Sequence, residues 1–338
     1  MAVDTTNVRN ARGDWRPEAR IALPPIYKWP PRPAAVAKWF FGFPGYLWPM
    51  NAITLSIALI AWYLLTPALS TMQTFEVWWV ALLLVRNLGL TLAFFGGLHL
   101  YLYVFKRQGT TYKFTNKPLA TNNKRFMFAN QVHDNMFRTL CYGVPILTAY
   151  EAVTYWLFAN GIIGFIPIEA GTTAFWAWFV VMLLLAPVIH SVHFYLIHRL
   201  LHWGPLYRSV HRIHHFNIDV GPWSGLAMHP VELAIYFSTV CVQWLLALHP
   251  VNALFQIYIA TFNAAVSHTG FDKVMVTDNI SVESNNHFHY LHHKHFECNY
   301  GSTVAPMDQL FGTFHDGSDE AQTVMRERML SRLGDAAS

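Results

Sequence analysis

The chain has 338 residues, of which 54% are hydrophobic, 16% aromatic and only 12% charged, and its net charge is +4. Soluble domains carry about 25% charged residues on average, so this composition argues against a soluble protein and favours a membrane protein with interfacial aromatic residues. The small net charge gives no sign of a nucleic-acid partner. The widely spaced Cys141, Cys241 and Cys298 argue against a disulfide framework or a zinc–thiolate site.

In chain order, residues 1–46 are predicted to form a polar, basic N-terminal arm, and residues 47–338 a single membrane catalytic domain. Long apolar runs predict membrane spans, because a helix needs roughly 20 apolar residues to cross a bilayer. The predicted spans cover about 51–69, 77–104, 139–158 and 174–197. An apolar helical hairpin is predicted over 231–267, with a break at His249-Pro250.

The charged residues predict how these segments are oriented. Because each span carries the chain across the membrane, alternate segments lie on the same side. One side then holds the basic arm, the basic loop 105–137 and the region after the fourth span, and the positive-inside rule identifies it as the cytoplasm. The charge-poor links 70–76 and 159–173 fall on the other side. The expected fold is therefore an all-α integral membrane helical bundle with a cytoplasmic histidine-rich helical cap, formed by 198–230 and 268–315. Whether 231–267 crosses the bilayer fully stays open.

Histidine is concentrated in one part of the chain, because 15 of the 18 histidines lie between His190 and His295. Three clusters have the spacings HxxxH, HxxHH and HxxHH. They are His198 and His202; His211, His214 and His215; and His289, His292 and His293. Because helical residues three and four apart share a face, each cluster is expected to direct its imidazoles at one point.

Eight clustered imidazoles exceed the four ligands of one tetrahedral zinc and suffice for two metals with five or six ligands each. Imidazole suits zinc, copper, iron and nickel. Soluble di-iron bundles use glutamates together with Glu-x-x-His, whereas these clusters contain no acid. The clusters therefore predict a cationic metal site of mostly neutral ligands, suited to oxygen activation.

The histidine region resembles the sterol desaturase/fatty acid hydroxylase superfamily of histidine-box membrane di-iron enzymes. The resemblance covers roughly residues 175–315 and rests on the run from His193 to His215, on His229-Pro-Val-Glu232, and on His289-Tyr-Leu-His292-His293 with Asn299-Tyr300-Gly301 and Asp308-Gln-Leu-Phe311-Gly312-Thr313. It implies a helical membrane core, two non-haem iron ions and O2-dependent attack on a lipid C–H bond.

Carried over by position, the resemblance implies nine metal ligands. They are His198, His202, His211, His214, His215, His268, His289, His292 and His293. Asp272 stands where some fatty acid hydroxylases have a second histidine four residues after His268, and this departure favours a sterol C-5 desaturase-like branch.

Other polar residues near the boxes are predicted to support the ligands or to have a plain structural role. This set is His193, His229, Glu232, Asp272, His287, His295 and Asn299. His193 is favoured as packing or support, and His229 and Glu232 either support the ligands or cap a helix. Arg86 and Glu151 lie inside apolar spans, where pairing or snorkelling to an interface is favoured over a role in substrate binding.

The sequence thus predicts an enzyme that hydroxylates or desaturates a sterol-like or fatty acyl C–H bond with O2. Electrons should come from a separate protein of ferredoxin or cytochrome b5 type, because the chain has no haem, flavin or ferredoxin motif. The competing hypothesis is a histidine-rich membrane metal-binding or transport protein. Such a protein should place its ligands at mid-bilayer among intramembrane acids, whereas the boxes here lie at span ends.

Overall fold

A computed structural model describes residues 9–277, 280–283 and 286–335 of the protein. Residues 1–8 of the predicted arm and 336–338 of the predicted catalytic domain lie outside these ranges. Helices dominate the described residues. In chain order they are α1 (Pro33–Phe41), α2 (Met50–Leu65), α3 (Val77–His99), α4 (Gln131–Arg138), α5 (Val144–Ala159), α6 (Thr173–Leu201), α7 (Gly204–Ser209), α8 (Pro230–Phe237), α9 (Cys241–Leu246), α10 (Pro250–Ser267), α11 (Asn286–His295), α12 (Met307–Leu310) and α13 (Asp319–Asp335).

Two stretches of the long helices widen into π-helical turns. Leu100–Val104 extends α3, and Thr139–Gly143 joins α4 to α5 without a break. Val77–Val104 and Thr173–Leu201, of 28 and 29 residues, are long and apolar enough to cross a membrane, whereas Met50–Leu65 and Pro230–Leu246 are shorter apolar helices. The count of four spans therefore stays a prediction.

Several predicted boundaries change for local reasons. The first apolar helix ends at Leu65 rather than 69, because Thr66 precedes Pro67 and a residue before proline avoids helical geometry. The predicted loop 105–137 contains α4, which begins where the Asn130 side chain accepts a hydrogen bond from the His133 backbone N–H. Helix α6 runs to Leu201 rather than 197, so it carries His198 in its last turn.

The predicted apolar hairpin is present, and its break at His249-Pro250 is confirmed. His249 caps α10 by accepting a hydrogen bond from the Val251 backbone N–H, at 3.2 Å. Every residue of α10 is buried except Asn263 and Ser267. A helix that is buried on all sides belongs in the centre of a bundle, and α10 packs against α2, α5 and α6.

The predicted pairing of Arg86 with Glu151 is confirmed. The Arg86 guanidinium on α3 contacts the Glu151 carboxylate on α5, and both side chains are buried. Asn87 donates to the second carboxylate oxygen of Glu151 at 2.8 Å, and Tyr258 on α10 donates to Asn87 at 3.2 Å. This network ties three helices together, and its charges compensate each other where an isolated charge would be costly.

The histidine cap is less uniformly helical than predicted. It contains the 3₁₀ helices His211–Phe216 and Pro222–Leu226, and an antiparallel hairpin of β1 (Lys273–Thr277) and β2 (Ile280–Glu283). The alternating, β-branched sequence of β1 suits a strand. The N-terminal arm packs onto this cap, where the Lys294 ammonium donates to the Asp14 carboxylate at 3.1 Å.

A candidate metal centre of nine histidines

The structure brings all nine predicted ligand histidines together in two neighbouring groups. Within each group the nearest imidazole nitrogens lie within 4.8 Å of one another. The five-histidine group consists of His198, His202, His211, His215 and His292. The four-histidine group consists of His214, His268, His289 and His293. Eight of the nine side chains are buried, and His202 is half-buried.

The expectation that each box points at one place is correct for His198 and His202 and wrong for the two HxxHH boxes. His211 and His215 join the five-histidine group while His214 turns to the other, and His289 and His293 join the four-histidine group while His292 turns away. Adjacent residues diverge by about 100° on an α-helix such as α11 and by about 120° on a 3₁₀ helix such as His211–Phe216, so an HH pair cannot aim both rings at one point. Each HxxHH box therefore spans both groups.

The inward-facing Nε2 atoms are closely packed. In the five-histidine group, His211 Nε2 lies 3.1 Å from the Nε2 atoms of His198 and His202 and 3.0 Å from that of His215. In the four-histidine group, His268 Nε2 lies 3.1 Å from the Nε2 atoms of His289 and His293. Two nitrogens bound to one metal at roughly 2.1 Å and at right angles lie roughly 3.0 Å apart, so the spacing fits a shared ion.

The other ring nitrogen, Nδ1, is held by an oxygen in four of the nine. A carbonyl oxygen only accepts hydrogen bonds, so it fixes the proton on Nδ1 and leaves a lone pair on Nε2. The contacts are His198 to the Tyr300 carbonyl at 2.6 Å, His292 to the Cys298 carbonyl at 2.7 Å, His268 to the Ala264 carbonyl at 2.8 Å, and His211 to the Glu232 carboxylate at 2.6 Å.

This arrangement fits a bound cation. The Tyr300 carbonyl leaves the Nε2 lone pair of His198 directed inward, 3.1 Å from His211 Nε2, and an ionised Glu232 would leave the Nε2 lone pair of His211 directed inward as well. Lone pairs facing each other repel unless a positive charge lies between them. Metal-bound histidines characteristically donate their other ring N–H to a carbonyl or carboxylate, as these do.

Burial keeps these imidazoles neutral. Loss of water contact lowers the pKa of His268 to about 3. Burial, and then the neighbouring imidazoles, lower the pKa of His211, His215 and His293 well below the ordinary value. At neutral pH the Nε2 lone pairs are therefore available to a metal without competition from protons.

The residues predicted to support the ligands have different roles. Glu232 contacts His211 directly, as described above. His229 caps α8 by accepting from the Val231 backbone N–H at 3.2 Å. His193 contacts the Ser238 hydroxyl at 3.0 Å. The remaining members also lie outside both groups: His287 stacks on Phe114, His295 stacks on His315, and the Asp272 backbone N–H donates to the Tyr112 carbonyl at 2.9 Å.

Asn299 and Asp308 support the site through the backbone. Asn299 has a φ of 53°, a left-handed conformation that asparagine tolerates, and its amide donates to the Phe288 and His315 carbonyls. The Asp308 carboxylate accepts from the backbone N–H groups of Tyr300 and Gly301, both at 2.8 Å. Together they position the carbonyls that hold His198 and His292. The sequence signal for this was the Asn299-Tyr300-Gly301 segment, but its carbonyl contacts were not predicted.

A cavity of about 220 Å³ reaches both groups from the bundle. Its walls include imidazoles of both groups, His198 and His211 from the first and His214, His268 and His289 from the second, together with apolar side chains such as Phe194, Met228 and Phe288. The arrangement provides an apolar space beside a metal centre, which suits chemistry on an apolar molecule.

Residues 182–313 match the family model for fatty acid hydroxylases. The histidine region of the chain is therefore similar to the sterol desaturase/fatty acid hydroxylase superfamily. Both HxxHH boxes, His268 and Glu232 lie inside the matched segment. The two apolar helices Val77–Val104 and Thr173–Leu201, together with the family match, indicate a membrane protein.

Curated relatives of this superfamily match the same part of the chain. A Delta(7)-sterol 5(6)-desaturase of Gibberella zeae is 28% identical over 182 residues, which cover 46% of this chain and 50% of the relative. A methylsterol monooxygenase of Aspergillus fumigatus is 34% identical over 133 residues, covering 37% and 44%. A putative methylsterol monooxygenase of Dictyostelium discoideum is 31% identical over 132 residues, covering 37% and 47%. The chain thus spans half or less of the length of these relatives. No solved structure matches the chain significantly.

Proposed function

We propose that the protein is an O2-dependent membrane oxidoreductase that uses a non-haem di-iron centre to hydroxylate or desaturate a lipid. The observation that carries this proposal is the convergence of nine imidazoles into two adjacent groups beside an apolar cavity. The substrate is a sterol-like or fatty acyl lipid, which agrees with the names of the sterol desaturase and methylsterol monooxygenases that the chain resembles.

The nine histidines are proposed as the iron ligands. When bound, two iron ions would supply the activation of O2 and the removal of hydrogen from an unactivated C–H bond. The chain's own residues keep the nine imidazoles neutral, fix the orientation of four of them through Nδ1 contacts, and exclude water from the lipid. Hydroxylation and desaturation each consume one O2 and two electrons, so the supply of O2 and electrons does not distinguish them. The position of the C–H bond in the cavity is proposed to select between the two products.

The membrane arrangement is proposed to be four spans plus the α8–α10 hairpin, with the N-terminus and the metal centre in the cytoplasm. Basic residues in the arm and in the loop before α4 support this orientation. Helix α10 then serves as the central helix of the bundle, because its surroundings are protein on nearly every side.

A separate electron-transfer protein, of ferredoxin or cytochrome b5 type, is proposed as the donor. Either outcome needs two electrons per turnover, and the sequence carries no haem, flavin or ferredoxin motif that would store them. The half-buried His202 gives the five-histidine group the shorter route to the surface, so electrons are proposed to enter on that side.

Two measurements test the function. Iron analysis of the purified protein is expected to find two irons per chain, and cells expressing the protein under labelled O2 should gain either a labelled lipid or a lipid with two fewer hydrogens. Metal without any O2-dependent lipid product would favour the metal-binding or transport alternative. Protein that binds no iron after anaerobic reconstitution would exclude the proposed enzyme.

A further inference from the structure

Two polar side chains face the cavity without an intramolecular partner. His190 on α6 and the half-buried Asn263 on α10 both line it. The Nδ1 atom of His190 is buried without a hydrogen-bond partner, and the Asn263 side chain forms no hydrogen bond within the described ranges. His190 packs edge-on against Tyr236, whose hydroxyl donates to the Ala260 carbonyl of α10, at 2.6 Å. Tyr236 thus connects the two helices that carry His190 and Asn263.

Two hydroxyl groups of the same wall already have partners. The Tyr46 hydroxyl donates to the Leu184 carbonyl at 2.5 Å, and the Ser302 hydroxyl pairs with that of Ser191 at 2.7 Å. A buried polar group without a partner costs about 1–3 kcal/mol. Unpartnered groups that face a cavity are therefore natural contacts for a ligand.

The charge of the cavity limits what that ligand can be. No lysine or arginine is among the described residues that line the cavity, and one carboxyl oxygen of its one acid, Glu232, lies 2.6 Å from His211 Nδ1. A carboxylate or phosphate would lose its hydration there without gaining a counter-charge, which is unfavourable. A hydroxyl or carbonyl group needs only the hydrogen bonds that an imidazole and an amide offer.

His190 and Asn263 lie at a distance from the ligand histidines of their own helices. His190 precedes His198 by eight residues on the same helix, roughly 12 Å along the axis. Phe194 lies between them and stacks on both rings, with centroid distances of 6.0 and 4.8 Å. Asn263 precedes His268 by five residues, roughly 8 Å along α10.

We propose that His190 and Asn263 form the hydrogen-bonding site for an uncharged hydroxyl or carbonyl group of the lipid substrate, and hold that group away from the carbon that reacts. This inference rests on the proposed function and sharpens its substrate class. The substrate is a neutral lipid whose oxygen and whose oxidised carbon lie at opposite ends of the cavity.

Ligand-induced thermal stabilisation of the purified full-length protein in detergent tests the site. The probes are cholesterol against 5α-cholestane, which lacks the oxygen, and 1-hexadecanol against hexadecane and ionised hexadecanoate. At least one oxygenated, uncharged probe is expected to bind roughly fivefold or more tightly than its hydrocarbon counterpart, as one or two neutral hydrogen bonds imply. Hexadecanoate should bind no better than hexadecane.

Variants assign the preference to the two side chains. His190→Phe and Asn263→Leu should bind the hydrocarbons as before and lose the preference for oxygen, whereas His190→Gln should retain much of it. His193→Phe is the matched control, because His193 lies on the same helix, contacts Ser238 and does not line the cavity.

Any of four results would overturn the proposal. In binding, these are equal affinity for the oxygenated and hydrocarbon probes, no binding of either oxygenated probe, or tighter binding of hexadecanoate than of hexadecane. In the variants, it is an unchanged preference for oxygen in both His190→Phe and Asn263→Leu. Iron content measured on the same samples tests the proposed enzyme separately. A retained oxygen preference in protein that cannot bind iron would reject the enzyme and leave the lipid site standing.

Discussion

The five-histidine and four-histidine groups share ligands from the same boxes but differ in support and exposure. In the first, oxygens hold the Nδ1 atoms of His198, His211 and His292, and His202 is half-buried. In the second, every histidine is buried, and three of the four line the cavity. The first group would offer five imidazoles to a metal ion and the second group four.

In the proposed enzyme, this difference would give the two groups different roles. The four-histidine group, with fewer ligands and the larger share of cavity wall, would meet O2 and the substrate. The five-histidine group, with more Nδ1 contacts to oxygen and the half-buried His202, would accept electrons.

The largest expected effect comes from removing a ligand of the four-histidine group. His268→Ala leaves that group with three imidazoles and should lower its metal affinity by more than about 100-fold, beyond the usual loss for a supporting residue. His202→Ala leaves four imidazoles in its group, at a place where water can replace the lost ligand. Iron content after dialysis should therefore fall further in His268→Ala than in His202→Ala. Equal iron retention in the two variants would contradict the proposed difference between the two groups.

The ion pair of the bundle provides a contrast that touches neither group. Glu151→Leu leaves the Arg86 guanidinium buried without its partner, which should lower the free energy of unfolding by about 3–5 kcal/mol. The double variant Arg86→Met/Glu151→Leu should recover much of this loss. Denaturant unfolding measures the stability of both variants. Iron per folded chain should stay at the wild-type value, because the ion pair touches neither histidine group. A change in iron content would mean that the ion-pair network also shapes the metal centre.

A smaller effect is expected at Glu232, which orients one ligand of the five-histidine group. Glu232→Ala removes the acceptor for His211 Nδ1–H and should weaken metal binding in that group by about 10- to 100-fold. Glu232→Gln keeps an acceptor oxygen and should be less affected. Chelator-induced metal release should show one faster phase and one unchanged phase in Glu232→Ala; acceleration of both phases would mean that the groups are not separable.

The smallest effect is the contribution of one ligand, His268, to the pH dependence of stability in the metal-free protein. The pKa of His268 is lowered to about 3, whereas a histidine in the unfolded chain titrates near 6.5. Between these values the unfolded chain binds more protons, so the free energy of unfolding should fall as pH drops below about 6.5, by up to about 1.4 kcal/mol per pH unit for each such histidine. Urea unfolding at pH 7.5 and 5.5 measures this. A His268→Gln variant should show a shallower slope.

The predicted helical bundle and the eight clustered histidines depend on local patterns that are visible in the sequence. A run of apolar residues must form a helix if it enters lipid, because the backbone has no other partner there. The break before Pro250 and the end of α2 before Pro67 depend on single residues. Likewise, HxxxH spacing alone was sufficient to place His198 and His202 together.

Only the tertiary structure decided how the other histidines divide between the two groups. His198 is oriented by the carbonyl of Tyr300, 102 residues further along the chain, and any residue type could present that carbonyl. His268 joins its group because α10 ends beside α11, a consequence of burying α10 in the bundle centre. Sequence spacing determines directions around one helix, whereas the convergence of rings from four segments depends on how those segments pack against each other.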